Sequence, residues 1–253
     1  MKYLLLITIF LFSGCSVNSV EVKKIFQTDD STYIQHNYND IVKLILEYKI
    51  KLDKRNPNNY NKNLSLYIIN SIKSSEDSII MYTKDKRILK NHIDYFNYTF
   101  SSNIDIDFRN DYLIIGLYKL FHDAFTMKES YKFSSYGYDL TKIQKLYKNL
   151  QILQWKIKHN KDSNGNYLFN TWQLNWQIKL LNQYNKSKNI EYEEIKNFNY
   201  IKNKTESIFD SSNNSFEKLL DKMIFHVENS IYLLDMTPES LTTEILKTAI
   251  FIL

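Results

Sequence analysis

A chain of 253 residues, 43% hydrophobic and 24% charged, is long enough to bury one large core and too apolar to be disordered. Its four glycines and two prolines are too few for the many turns of a β-sandwich or barrel, and long helices joined by polar loops are expected. The formal charge of +5 rests almost wholly on lysine, with Arg55, Arg87 and Arg109 the only arginines; the lysines alternate with Asp and Glu, which reads as a solvated surface and excludes a dedicated nucleic-acid face.

The chain opens with Lys2 and then an apolar run from Leu4 to Phe12, broken only by Thr8. Such a run is far short of the roughly 20 residues a helix needs to span a bilayer, and it fits the hydrophobic region of a secretory signal peptide. The run ends in Leu11-Phe12-Ser13-Gly14-Cys15-Ser16. This stretch resembles the lipobox of bacterial lipoproteins, and the resemblance covers the leader alone. It implies that residues 1–14 are removed, and that Cys15 becomes the mature N-terminus with a thioether-linked diacylglycerol and an N-acyl chain of the palmitate type. It further implies a place in the bacterial cell envelope, on the outer membrane facing the periplasm in a diderm, because Ser16 and not Asp comes after the cysteine. Cys15 is the sole cysteine, so no internal disulfide can form, and acylation would remove a thiol that is a liability in an oxidising compartment. Each buried methylene adds about 0.8 kcal/mol, and two or more chains make a stable anchor in a lipid bilayer. Residues 15–33 lack periodicity and read as the lipidated N-terminus and a tether; residues 34–253 read as a single all-helical domain.

In that domain, Asn39 or Asp40 caps a first helix whose stripe is Ile41, Leu44, Ile45, Tyr48 and Leu52, with Glu47 and Lys51 paired on the other side. A second helix is expected over Leu64–Ile72 and a third over Lys84–Tyr98; Asp77 to Thr83 fits either strand or helix. Phe108 to Met127 forms a strong helix centred on Leu113, Leu117, Leu120 and Ala124. Gly116 costs about 1 kcal/mol against Ala in a helix interior, so close approach of another backbone is expected there. Arg109 and Asp123, on the flank of that face, require partners if buried, and His122 points the opposite way, toward solvent.

Asp139 to Tyr184 reads as a helical hairpin. Ile143, Leu146, Tyr147, Leu150, Leu153 and Ile157 stripe its first arm, and Phe169, Trp172, Trp176 and Leu180 its second. Asp162 to Asn166 forms the turn, where Gly165 tolerates positive φ. Helices are also expected over Ile190–Phe209, over Ser215–Leu234 after the polar break 210–214, and from Thr237-Pro238-Glu239 onward. The last thirteen residues end in the wholly apolar Ala249 to Leu253, which is expected to dock on the domain's own core. The architecture predicted is an all-α, irregular bundle of about seven to nine helices around the central hairpin.

Chemistry is sparsely marked. Beyond the leader the glycines stand at 116, 137 and 165, so no phosphate-binding glycine loop exists. The five histidines never pair at helical spacing, and Asp162–Asn166 has its glycine at the wrong place for a calcium loop. No cofactor and no metal is therefore expected. Asn170 to Gln177 mixes tryptophan with amides, a surface suited to glycan or peptide planes, although Trp172 and Trp176 one turn apart read as core. Trp155 lies off its helix's stripe near Gln144, Lys148, Gln151 and His159. Trp155, Gln151, His159 and Arg109 form the candidate binding surface, for an envelope protein or a cell-wall glycan. No catalytic residue is marked, and binding as an accessory or scaffold to other envelope components is favoured over the alternative, an envelope hydrolase or glycan- or peptidoglycan-acting enzyme with a dispersed site.

Overall fold

The structure is a computed structural model that describes residues 28–55, 60–76, 79–102, 106–126, 137–169 and 211–251, with isolated positions between 171 and 202. The described residues form an all-α, multi-helix fold. Its helices are α1 (Asp29–Arg55), α2 (Lys62–Lys73), α3 (His92–Thr99), α4 (Arg109–Ala124), α5 (Leu140–His159), α6 (Ser211–Tyr232) and α7 (Thr243–Thr248).

α1 begins at Asp29, well before the expected cap, so residues assigned to the tether from Asp29 to Tyr33 are helical. The apolar stripe runs further back than expected: Ile34 and Tyr38 are buried in register with Ile41, Ile45, Tyr48 and Leu52. Thr28 accepts from the Ser31 amide, Asp29 and Asp30 face the positive end of the helix, and Lys54 and Arg55 face the negative end. Asp40 is spent on Lys43, 2.7 Å away, and caps nothing.

α6 packs lengthwise on α1 and α5. Phe216, Leu220, Met223, Val227 and Ile231 are buried, with the Phe216 ring edge-on to Tyr48 at 5.4 Å. Polar rungs cross the seams. Asn37 donates to Ser230 Oγ at 3.1 Å, His226 Nδ1 lies 3.0 Å from Asn37 Oδ1, and Tyr147 donates to Glu228 Oε1 at 2.8 Å.

α5 matches the first arm of the expected hairpin, with Ile143, Leu146, Tyr147, Leu150, Leu153 and Ile157 buried and Asp139 as its N-cap. The turn is also as expected. Gly165 takes φ +78, and Asp162 Oδ1 accepts from the Asn164 and Asn166 amides at 2.9 Å each. Phe169 is buried, but Trp172, Trp176 and most of the second arm lie outside the described residues, as does nearly all of 190–209.

The most deeply buried element is α4. Fourteen of its 16 residues are buried, so it has no wet face. His122 is among them, 2% exposed and lying against Tyr118 at 5.7 Å between rings; the expectation that it faces solvent fails because the opposite side of α4 is covered as well. Gly116 behaves as expected. A Cβ there would meet Phe96 Cε1 at 2.8 Å and Tyr95 Cβ at 3.0 Å, so α3 rests directly on the glycine.

Two expected helices start later than expected. Residues 84–90 belong to a short turn closed by an antiparallel bridge between Tyr82 and Ile88, and α3 starts only at His92 behind a capping box of Asn91 and Asp94. At the C-terminus, residues 236–242 have no regular secondary structure and the helix waits for the Thr242 cap. The expected docking of the tail is present among the described residues, with Phe251 buried and Leu241, Leu246 and Ala249 packed against the core. Phe251 is buried against Phe96 at 4.5 Å and Phe100 at 5.7 Å between rings, with Lys156 Nζ 5.6 Å from its centroid, while Ile250 is 81% exposed.

Two outcomes test this packing. Gly116→Ala should lower stability by roughly 1–3 kcal/mol in denaturant unfolding, because the overpacking at Tyr95 and Phe96 exceeds the gain in helix propensity. Phe251→Ala should lower it by roughly 2–3 kcal/mol, toward the small end for a buried ring because the terminus can release locally, whereas Ile250→Ala should leave the melting curve unchanged.

Candidate functional site

One surface open to a partner is the hairpin that precedes α3. Its backbone has no neighbouring strand among the described residues. Tyrosine hydroxyls from α3 and α4 take part of that role: Met81 N donates to Tyr95 Oη at 2.9 Å, Tyr112 donates to the Tyr82 carbonyl at 2.7 Å, and Lys84 N donates to Tyr98 Oη at 3.4 Å. The turn closes through Thr83 N on the Arg87 carbonyl at 3.0 Å, with Lys86 at φ +61. Burial pushes the hydroxyls of both Tyr95 and Tyr112 up to about 12.

Residues of an extended segment alternate sides, and here the alternation turns apolar groups outward. Ile79, Met81 and Thr83 are buried, whereas Ile80 is 47% exposed and Tyr82 60%, with Ile88 across the bridge at 44%. Beside this face opens a groove of about 340 Å³ lined by Arg87, Ile88, Leu89, Lys90, Asp94, Asn97, Tyr98 and Ser101. Arg87 and Lys90 bring two cations to it. Asp94 is the one carboxylate among the lining residues, and it is engaged in capping, accepting from the Lys90 and Asn91 amides at 3.0 and 3.4 Å. The arrangement suits recognition through apolar, aromatic and cationic contacts. Nothing in it positions an acid against a base.

The four residues singled out from sequence fall in two places. Trp155 and His159 stack on α5, with rings 4.7 Å apart and 20° from parallel, and His159 Nδ1 lies 2.8 Å from the Trp155 carbonyl. Gln151, one turn earlier, accepts from the Leu241 amide at 2.8 Å. It belongs to a row that the chain covers with its own C-terminal segment: Gln144 donates to the Thr237 carbonyl at 2.9 Å, Lys148 pairs with Glu239, and Tyr147 Oη lies 3.1 Å from Ser240 Oγ. Arg109 is elsewhere, at the start of α4, where its guanidinium donates to the carbonyls of Thr99 and Ser101 and so ties down the C-terminal end of α3. Ser101 also lines the groove, so Arg109 supports that wall from behind.

A second constellation went unread in the sequence. Lys49 is wholly buried on the stripe of α1, one turn from both Ile45 and Leu52. Its Nζ lies 2.6 Å from each oxygen of Asp53, 2.7 Å from Asp111 Oδ1 on α4 and 3.2 Å from Ser65 Oγ on α2. Ser65 in turn donates to Asp53 Oδ2 at 2.7 Å. Burial holds the Asp111 carboxyl above the ordinary carboxylate range; the Lys49 ammonium pulls the other way, and the neighbouring Asp53 charge adds to the rise. The available signal was Lys49's place inside an apolar stripe, together with an aspartate in the first turn of a helix that is apolar all round.

Among the described residues no group of three or more His, Cys, Asp or Glu is placed to hold a metal ion, and no helix is long and apolar enough to cross a membrane. No protein-family model matches the chain, and comparison with curated proteins and with solved structures finds no match either, so the site rests on its own geometry.

Proposed function

We propose that this is a lipid-anchored protein of the bacterial envelope that acts by binding, as an accessory or scaffold to other envelope components. The observation that carries the reading is the hairpin: Ile80, Tyr82 and Ile88 are held outward on a backbone fixed by tyrosine hydroxyls, beside an open groove bearing Arg87 and Lys90. Apolar side chains kept exposed on a fixed frame suit a protein partner, and the extended 79–83 segment suits one that adds a strand alongside it. The anchor rests on the Leu11–Cys15 motif, and the Ser16–Thr28 stretch would let the folded body stand off the bilayer.

The test is affinity capture from detergent-solubilised envelopes with mass spectrometry of what co-purifies. The double variant Tyr82→Ala, Ile88→Ala should fold with a circular dichroism melt close to that of the wild type, since both side chains are exposed, and should lose a partner that the wild type retains. Metabolic labelling with a palmitate analogue should mark the wild type and not Cys15→Ser. A capture profile unchanged by the double variant would remove the hairpin as the binding face, and equal labelling of Cys15→Ser would remove the anchor.

A further inference from the structure

We propose that Lys49 and Asp111 condense into an intramolecular amide that cross-links α1 to α4, with Asp53 as the carboxylate that takes the proton from the attacking nitrogen.

Three observations converge on this. The nucleophile and the electrophile are already in contact in a water-poor interior: Lys49 is 0% exposed, the Asp111 side chain is 4% exposed, and 2.7 Å separates Nζ from Oδ1. That contact is off the ordinary hydrogen-bond direction, because Asp111 Oδ1 has no hydrogen-bond partner of normal geometry despite the short distance. A proton acceptor is also in place. Both Asp53 oxygens lie 2.6 Å from Nζ, Ser65 holds one of them, and the Asp53 side chain is 13% exposed, which puts it on the way out for a leaving water.

The chemistry balances without any outside reagent. The reaction starts from an ammonium on Lys49, a carboxylate on Asp53 and Asp111 as the acid, the form toward which burial pushes it. Asp53 takes one proton from Nζ and keeps it. The freed amine attacks Cγ of Asp111, the Nζ–Cγ bond forms, and the Cγ–OH bond breaks. The hydroxyl leaves with a second proton from nitrogen as one water. An ammonium, an acid and a carboxylate become an amide and an acid, so no charge remains buried. An ion pair buried at this depth contributes little to stability because desolvating it offsets the attraction, whereas the amide removes that penalty. It also closes the chain between residues 49 and 111 covalently, restricting the unfolded state as a disulfide would in a chain whose single cysteine cannot supply one.

The experiment is tryptic digestion of the purified full-length chain, with its fold checked by circular dichroism, followed by tandem mass spectrometry. The expected product is a branched peptide joining Leu44–Lys51, uncut at Lys49, to Asn110–Lys119, lighter by one water than the sum of the two. Lys49→Arg, which keeps the charge and removes the nucleophile, should release the 110–119 peptide in linear form. Asp53→Asn should also release it, or reduce the branched product at least tenfold. Recovery of linear Asn110–Lys119 and a peptide ending at Lys49 from folded wild type would overturn the proposal. So would a branch mapped to Asp53 instead of Asp111, or undiminished branching in Asp53→Asn.

Discussion

The fold depends on a helix with no side left for water. Because fourteen of the 16 residues of α4 are buried, the polar groups among them have to be answered from within, and much of the surrounding architecture is that answer. Asp111 is met by Lys49 from α1, which brings Asp53 and, through Ser65, α2 into the same network. Asn110 donates to the Leu52 carbonyl at 3.4 Å, closing the same corner. Arg109, at the mouth of the helix, donates to the Thr99 carbonyl at the end of α3 and to Ser101 just beyond it, and so fixes how α3 lies on Gly116. With α3 fixed, Tyr95 and Tyr98 reach the 79–84 backbone, and Tyr112 of α4 joins them. The outward face of the hairpin is thus a consequence of how the central helix is satisfied.

How much of this was legible in the sequence depends on which forces act locally. α5 was readable because its apolar stripe, its Asp139 cap and the Asp162–Gly165 turn are all written within a few residues of where they act. Gly116 was readable because a glycine in an otherwise strong helix requires a reason, and α3 supplies it. The burial of His122 was not, since a helical wheel assumes one wet face and α4 has none. The second half of the hairpin, from Lys84, was misread as the start of a helix and the first half left open, because the groups that hold it, Tyr95, Tyr98 and Tyr112, lie 14 to 30 residues further on. Thr237-Pro238-Glu239 has good helix-start chemistry, yet Gln144, Lys148 and Gln151 of α5 bind that stretch in a non-helical form.

The candidate surface was legible only in part. Trp155 and His159 do share a place, as their spacing of four implies, but Gln151 is taken by the C-terminal segment and Arg109 by α3. Local pattern cannot report that a polar row will be covered by a segment 90 residues away. The exposed hairpin left no local mark either, because Ile80, Tyr82 and Ile88 look like core residues until the alternation of an extended backbone decides which of them turn outward.

The central claim is that α4 is the element on which the rest is assembled, and amide hydrogen exchange tests it most directly. The amides of α4 from Leu113 to Phe121 should exchange only by global unfolding and be the slowest among the described residues, with the 79–90 hairpin and residues 236–251 opening far more readily. If α4 exchanges as fast as the hairpin while α5 or α6 stays protected, its burial is not what holds the fold together, and α4 is not the foundation of the fold.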